Sequence, residues 1–198
     1  MTESLSPRLR EMRWWDIDPV LELEKDLFPE DAWSRGMFWS ELAHARGAEA
    51  TRRYLVAEVA EGAEGDDEET TWSGVRVIGY AGLATTGTAS DSGSAAVADI
   101  QTIAVARDHW GTGLGSTLLT ELLTAASEFE CTEVMLECRV DNVRAQKLYE
   151  RFGFAPIGFR RGYYQPGNVD ALVMRLTTDP DSSSAAGSTS VQGTEIHD

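Results

Sequence analysis

Two rhythms of apolar and polar positions alternate along this chain. Residues 13–18 are aromatic and extended, which predicts a first strand. Asp18-Pro19 then opens a helix, with Asp at the cap, Pro in the first turn, and Val20, Leu23, Leu27 and Phe28 at helical spacing. Pro29 ends it. Ser34 caps a second helix whose apolar positions are Met37, Phe38, Leu42 and Ala45, with Gly47 as the stop. Residues 53–60, 75–84 and 97–105 are predicted strands. A longer helix follows over residues 113–129, striped by Leu114, Leu118, Leu122, Ala125 and Phe129. A short buried strand covers residues 133–140. Asp141 or Asn142 caps a last helix carrying Ala145, Leu148, Tyr149 and Phe152, closed by Gly153 in a left-handed conformation. Residues 154–162 and 170–176 are the final strands, turning at Pro166-Gly167-Asn168. Strands cluster early and alternate with helices later. That pattern predicts an α+β fold, a twisted mixed sheet of six to seven strands with helices on both faces.

The stretch from Ile103 to Leu119 organises the rest. It reads as apolar strand, glycine-dense turn, amphipathic helix. Gly111, Gly113 and Gly115 allow close backbone approach, and the N–H groups of the turn and first helical turn can hold an anion. Several ligands fit such a cradle. A P-loop needs a lysine after the last glycine, and none follows. A dinucleotide turn needs glycine where Ser116 stands, although Glu137 lies about 20 residues on, as a ribose-binding acid would. A tight strand–helix turn without a ligand is the remaining alternative.

Composition narrows the choice. The 198 residues are enough for one domain, expected over residues 1–177, followed by a Ser, Gly and acid-rich tail over 178–198. Residues 61–72 carry six acids and are predicted to be a mobile loop; residues 85–96, rich in Ser, Thr and Gly, are predicted to be another loop. Net charge is −16, concentrated outside residues 98–176. Such a surface repels nucleic acid and offers no basic stripe. No apolar run reaches membrane-spanning length, and the first ten residues have no signal core, so a cytoplasmic protein is expected. Cys131 and Cys138 fit no metal spacing and are predicted to be buried, reduced thiols, with no metal cofactor.

From residue 97 to 176 the chain resembles the GNAT acetyltransferases, and more narrowly the RimI-type N-terminal acetyltransferases of ribosomal proteins. The resemblance rests on Ile103-Ala104-Val105, Gly111-Thr112-Gly113-Leu114-Gly115, Leu136-Glu137-Cys138-Arg139, Leu148-Tyr149-Glu150-Arg151-Phe152-Gly153-Phe154, and Arg160-Arg161-Gly162-Tyr163-Tyr164. Phe28-Pro29-x-x-Ala32-Trp33-Ser34 extends it weakly into the first half. The resemblance implies a GNAT fold and acetyl-coenzyme A as co-substrate. It implies that the backbone of Ile103, Ala104 and Val105 pairs with the pantetheine amides. Gly111, Thr112, Gly113, Leu114, Gly115 and Ser116 would hold the pyrophosphate, and Asn142 would contact the arm. Glu137 would be the general base and Tyr149 the general acid. The acceptor would be a protein N-terminus, that of a ribosomal protein beginning with alanine. A lysine or small-amine acetyltransferase and a non-catalytic acyl-coenzyme A-binding module are the alternatives. Where the family has Gln or Arg at the start of the turn, this chain has Trp110. Because anion binding there is by backbone N–H, a modest effect on affinity is expected. Asp108 and His109 read as solvated turn residues. Trp33, Phe38, Tyr163 and Tyr164 are aromatic candidates for a peptide groove.

Overall fold

A computed structural model describes residues 6–60, 74–86 and 96–177. Among them, seven strands form one sheet: β1 Arg8–Glu11, β2 Arg52–Ala60, β3 Val75–Thr86, β4 Ala96–Val105, β5 Cys131–Arg139, β6 Ala155–Tyr164 and β7 Val169–Thr177. Their order is β1-β2-β3-β4-β5-β7-β6. Only β4 and β5 run parallel; every other pair is antiparallel. The helices are α1 Ile17–Leu27, α2 Arg35–Ala43, α3 Leu114–Glu128 and α4 Val143–Arg151. The acidic stretch 61–72, most of 85–96 and the tail 178–198 lie outside the described residues, but Thr85 and Thr86 belong to β3 and Ala96 to β4.

Two apolar clusters lie on the two faces of the sheet. Leu114, Leu118, Leu119, Leu122 and Ala126 of α3 pack with Ile78, Ala81, Leu83, Ala98, Ile100, Val134 and Leu136. Ile17, Val20 and Phe38 of α1 and α2 pack with Tyr54, Val56, Tyr80 and Ala104 on the other face. The parallel step from β4 to β5 is the crossover that α3 spans, which is why α3 is the longest apolar helix.

The first strand is not where its pattern placed it. Residues 14–16 form a 3-10 turn, and β1 lies upstream, paired to β2. Asp16 causes this. Its buried carboxylate accepts from the Arg13 N–H at 2.7 Å and from the Arg10 guanidinium at 2.7 and 2.8 Å. Arg10 also donates to Glu58 at 2.7 Å. Trp14 and Trp15 stay more than half exposed in this turn. Helix α1 consequently starts at Ile17, Asp16 is its N-cap without a side-chain cap bond, and Asp18 pairs with Arg35 instead of capping. Ser34 does cap α2, accepting from the Met37 N–H at 3.3 Å. That helix ends at Ala43 rather than near Gly47, and Phe38 is its one fully buried side chain. Asn142, not Asp141, caps α4, and Gly153 follows its end at φ +91°.

Candidate active site

The sheet opens in its middle. Strands β4 and β5 are paired only from Ala96–Ile100 to Cys131–Leu136. Beyond Leu136, β5 stays with β7, while β4 stays with β3. The divergence coincides with a bulge: Gly82 pairs with Thr102 but Leu83 with Ile100, leaving Gln101 as the extra residue. The bulge also switches faces. Ala98 and Ile100 point to the α3 side, yet so do Ile103 and Val105, while Ala104 points to the α1 side.

Strand alternation then decides which backbone groups face the gap. The Ala106 N–H donates to the Ile78 carbonyl at 2.8 Å, toward β3. Ala104, two residues back, shares that direction, and Ile103 and Val105 turn their N–H and C=O groups the other way. So the expected backbone edge consists of Ile103 and Val105; the polar groups of Ala104 belong to the sheet. The Trp110 indole N–H already donates to the Val105 carbonyl at 2.7 Å. Its ring lies under the Arg144 guanidinium, 3.8 Å from the centroid, with Arg107 at 5.2 Å.

The turn that follows is conformational rather than crowded. Gly111 and Gly113 sit at φ +82° and +94°, where a side chain would be strained. A Cβ on either would meet no atom within 4 Å. Gly115 lies in α3, where a Cβ would make an ordinary contact with Leu148 of α4 at 3.5 Å. The Thr112 hydroxyl donates to the His109 carbonyl at 2.9 Å. The first α3 bond runs from the Thr117 N–H to the Gly113 carbonyl at 3.1 Å. The Gly115 and Ser116 N–H groups precede it and have no helical acceptor. Asp108 pairs with Arg76 and His109, as solvated turn residues do. The Asn142 side-chain oxygen accepts from the Ala145 N–H at 3.1 Å, so its cap role is filled and its amide N–H groups remain for other partners.

Glu137 and Tyr149 approach the gap from opposite faces. Leu136 and Cys138 join the α3 cluster, so Glu137 between them faces the α1 side. There its carboxylate receives the Arg160 guanidinium at 3.0 Å. Tyr149 is buried in the α3 cluster, edge-on to Phe154 with centroids 5.9 Å apart. Burial, and then the neighbouring Cys138 and Tyr164, hold its phenol above the usual range, so it is a neutral hydroxyl at pH 7. Both thiols are buried, and burial pushes Cys138 up to about 11.

On the Glu137 face stands a residue that local sequence pattern does not mark. Asp99 of β4 pairs in register with Met135, two residues from Glu137 on the same face. It accepts from the Gln101 amide at 2.6 Å. Burial, then the charge of Glu137, pushes its carboxyl up to about 6. The available signal was Asp99 and Gln101 alternating with Ala98 and Ile100 in a mostly apolar strand. Of the groove candidates, Phe38 is fully buried against Tyr80 and is core. Trp33 packs on Phe38 and gives its N–H to the buried Glu24 at 2.7 Å, a carboxyl that burial raises to about 7. Tyr163 is 45% exposed and stands edge-on to Tyr164.

A parallel pair that opens beside a left-handed glycine turn and a helix N-terminus is matched by a known family. The family model described as Acetyltransferase (GNAT) family covers residues 17–154. The chain belongs to the GNAT acetyltransferase family. A candidate ribosomal protein bS18-alanine N-acetyltransferase of Bacillus subtilis is 32% identical over 169 residues, 85% of this chain and 94% of that protein. The N-alpha-acetyltransferase RimI of Mycobacterium tuberculosis is 33% identical over 161 residues, 81% and 85% of the two chains. Among solved structures, Arabidopsis thaliana NAA60 in complex with acetyl-CoA gives a TM-score of 0.68 at 18% identity, covering 87% of this chain and 98% of that one. This GNAT protein is an acetyl-coenzyme A-dependent N-acetyltransferase. The residues present suit that co-substrate: an open strand edge for an amide-bearing arm, and unpaired helix N–H groups beside it for a diphosphate. No helix among the described residues is long and apolar enough to cross a membrane.

Proposed function

We propose that this protein transfers the acetyl group to the N-terminal α-amine of a protein, specifically the N-terminal alanine of a small-subunit ribosomal protein. The observation that carries this reading is similarity spanning 94% of a relative named for acetylating ribosomal protein bS18 alanine. A ribosomal substrate puts the activity in the cytoplasm.

The chemistry of the gap supports the same reading. Acetyl-coenzyme A supplies an activated acyl group and a thiolate leaving group. Ile103 and Val105 would hold its arm by backbone hydrogen bonds, and the N–H groups of residues 111–116 its diphosphate. Glu137 then faces the incoming amine, and Tyr149 faces the departing sulfur from the other side of the sheet. An α-amine, with a pKa of about 7.7–8.0, is roughly one-tenth neutral at pH 7, whereas a lysine near 10.4 is under about 0.1% neutral. A carboxylate therefore has far less to do for an N-terminus than for a lysine. Tyr149 is protonated at pH 7 and can lend its proton to the departing thiolate. Its raised pKa makes transfer to a thiolate near 8.5 more uphill than the ~2 kcal/mol between an ordinary phenol and a thiol, so the tyrosinate is short-lived and regains its proton from solvent. Much of the acceleration comes from holding amine and thioester together.

The test offers acetyl-coenzyme A and two synthetic peptides, one beginning with a free alanine and one with a blocked N-terminus and an internal lysine. Mass spectrometry should find acetylation of the first only. Tyr149→Phe should bind the co-substrate like wild type in calorimetry and turn over far more slowly. Acetylation of the lysine peptide at a comparable rate, or full turnover by the variant, overturns the assignment.

A further inference from the structure

We propose that Trp14, Trp15 and Trp39 form a docking surface for the basic body of the protein substrate, the part of it that follows the acetylated N-terminus. The proposal rests on the protein-substrate reading above and adds where the rest of that substrate is held.

The surface is built from two elements. Trp14 and Trp15 stand in the 3-10 turn before α1, and Trp39 stands on α2. The Trp14 and Trp39 rings stack with centroids 6.4 Å apart and planes 13° apart, and Trp15 meets Trp14 edge-on at 5.5 Å. All three stay open to solvent, Trp14 at 57%, Trp15 at 56% and Trp39 at 47%. Phe38 is the one side chain that α2 buries, so Met37 and Trp39 on either side of it in sequence are left outward. Grouped, exposed indoles are what an interface presents, because each removes a large area from water once covered and loses little conformational freedom.

Charge selects the occupant. Residues 11–49, which contain the surface, carry ten acids and four bases. Two of the four bases are engaged by acids, Arg13 by Glu11 at 3.4 Å and Arg35 by Asp18. Glu22, Glu30 and Glu49 are exposed. A second copy of the chain would set two such acidic surfaces against each other, and the whole chain carries −16. A basic segment meets the opposite: attraction to the acids from a distance and a cation–π seat on the indole faces. The molecule itself shows this pairing, with Arg144 and Arg107 over the Trp110 ring at 3.8 and 5.2 Å. Proteins that bind RNA carry clustered Lys and Arg, so a ribosomal substrate supplies the cations.

The surface also lies beside the path of a bound peptide. The loop over residues 28–34 joins α1 to α2 and approaches the β6–β7 turn, where a Cβ on Gly167 would lie 3.8 Å from the Glu30 carboxylate. Trp39 is one turn into α2 from that loop, about 7 Å along the axis, a step that two or three residues of extended peptide cover.

The experiment compares wild type with the double variant Trp14→Ser/Trp39→Ser on three synthetic peptides. One is an uncharged hexapeptide beginning with a free alanine. The second continues it to twenty residues with a lysine- and arginine-rich extension, and the third has glutamates in place of those cations. Wild type should favour the basic peptide over the hexapeptide by about 10-fold in kcat/KM, through KM, and the advantage should fall at high salt. The double variant should lose that advantage and acetylate the hexapeptide at the wild-type rate. The N-acetylated basic peptide, which cannot react, should bind wild type in calorimetry and the double variant about 10-fold more weakly. Equal kcat/KM of wild type on the three peptides, an advantage that survives in the variant, or an equal gain from the glutamate peptide overturns the docking surface. A wild-type dimer that the substitutions dissolve in sedimentation overturns it too, by assigning the rings to a second copy. If wild type acetylates none of the peptides, the α-amine reading fails, and calorimetry with the N-acetylated basic peptide still decides the docking. If the double variant loses acetyl-coenzyme A binding, Trp39→Ser alone takes its place, and an unchanged advantage again refutes the surface.

Discussion

Replacing Asp99 by Asn should make the protein more stable at neutral pH, by an amount that depends on pH in a defined way. Folding raises the Asp99 carboxyl from 3.8 to about 6, chiefly through burial. The folded chain therefore holds this proton more tightly than the unfolded chain does. Stability from this group is fully present below pH 3.8 and is lost as pH rises through about 6. At about 1.4 kcal/mol per pKa unit, wild type forfeits about 2–3 kcal/mol by pH 7. Asn keeps an oxygen for the Gln101 amide and carries no charge to desolvate. For a domain of this size the gain corresponds to about 5–10 °C in Tm. Thermal melts followed by circular dichroism at pH 4, 5, 6 and 7 would read it. The difference between variant and wild type should be small at pH 4 and complete by pH 7. A constant difference across that range, or a less stable variant at pH 7, would refute the reasoning. The result bears on function, since a carboxylate kept at such a cost in stability is what an active site carries.

Two further substitutions probe the walls of the site. Gly82→Ala would place a Cβ inside the ring of the buried Tyr54, which cannot yield as a flexible chain would, so about 1–3 kcal/mol of stability should be lost in urea denaturation. An unchanged midpoint would mean that the Tyr54 ring moves freely. Trp110→Phe keeps a ring for Arg144 and removes the N–H that occupies the Val105 carbonyl, so acetyl-coenzyme A should bind about 5-fold more tightly in calorimetry. Weaker binding would mean that the indole N–H serves the co-substrate itself.

Helix and strand order, the cradle turn and the glycine cap of α4 were written into local pattern. Leucines at helical spacing specify α3, and Gly113 and Gly153 can take left-handed conformations at no steric cost. Residues 13–18 misled because alternation promises a strand only when one face becomes buried. Asp16 is buried against Arg10 and the Arg13 N–H instead, while Trp14 and Trp15 stay more than half exposed. Glu137 and Tyr149 are site candidates by motif, since each stands in a short local signature.

Other features needed the tertiary structure. Periodicity gives no sign that β4 leaves β5 after Ile100, because the separation depends on a bulge against β3 and on the competing pairing of β5 with β7. That same bulge leaves Ile103 and Val105, but not Ala104, with polar groups toward the gap. Asp99 stood out only when β5 brought Glu137 beside it and burial withdrew solvent from Asp99. Local sequence sets the conformation a segment prefers. Which polar groups lose water, and which charges they meet there, is decided by segments distant in the chain.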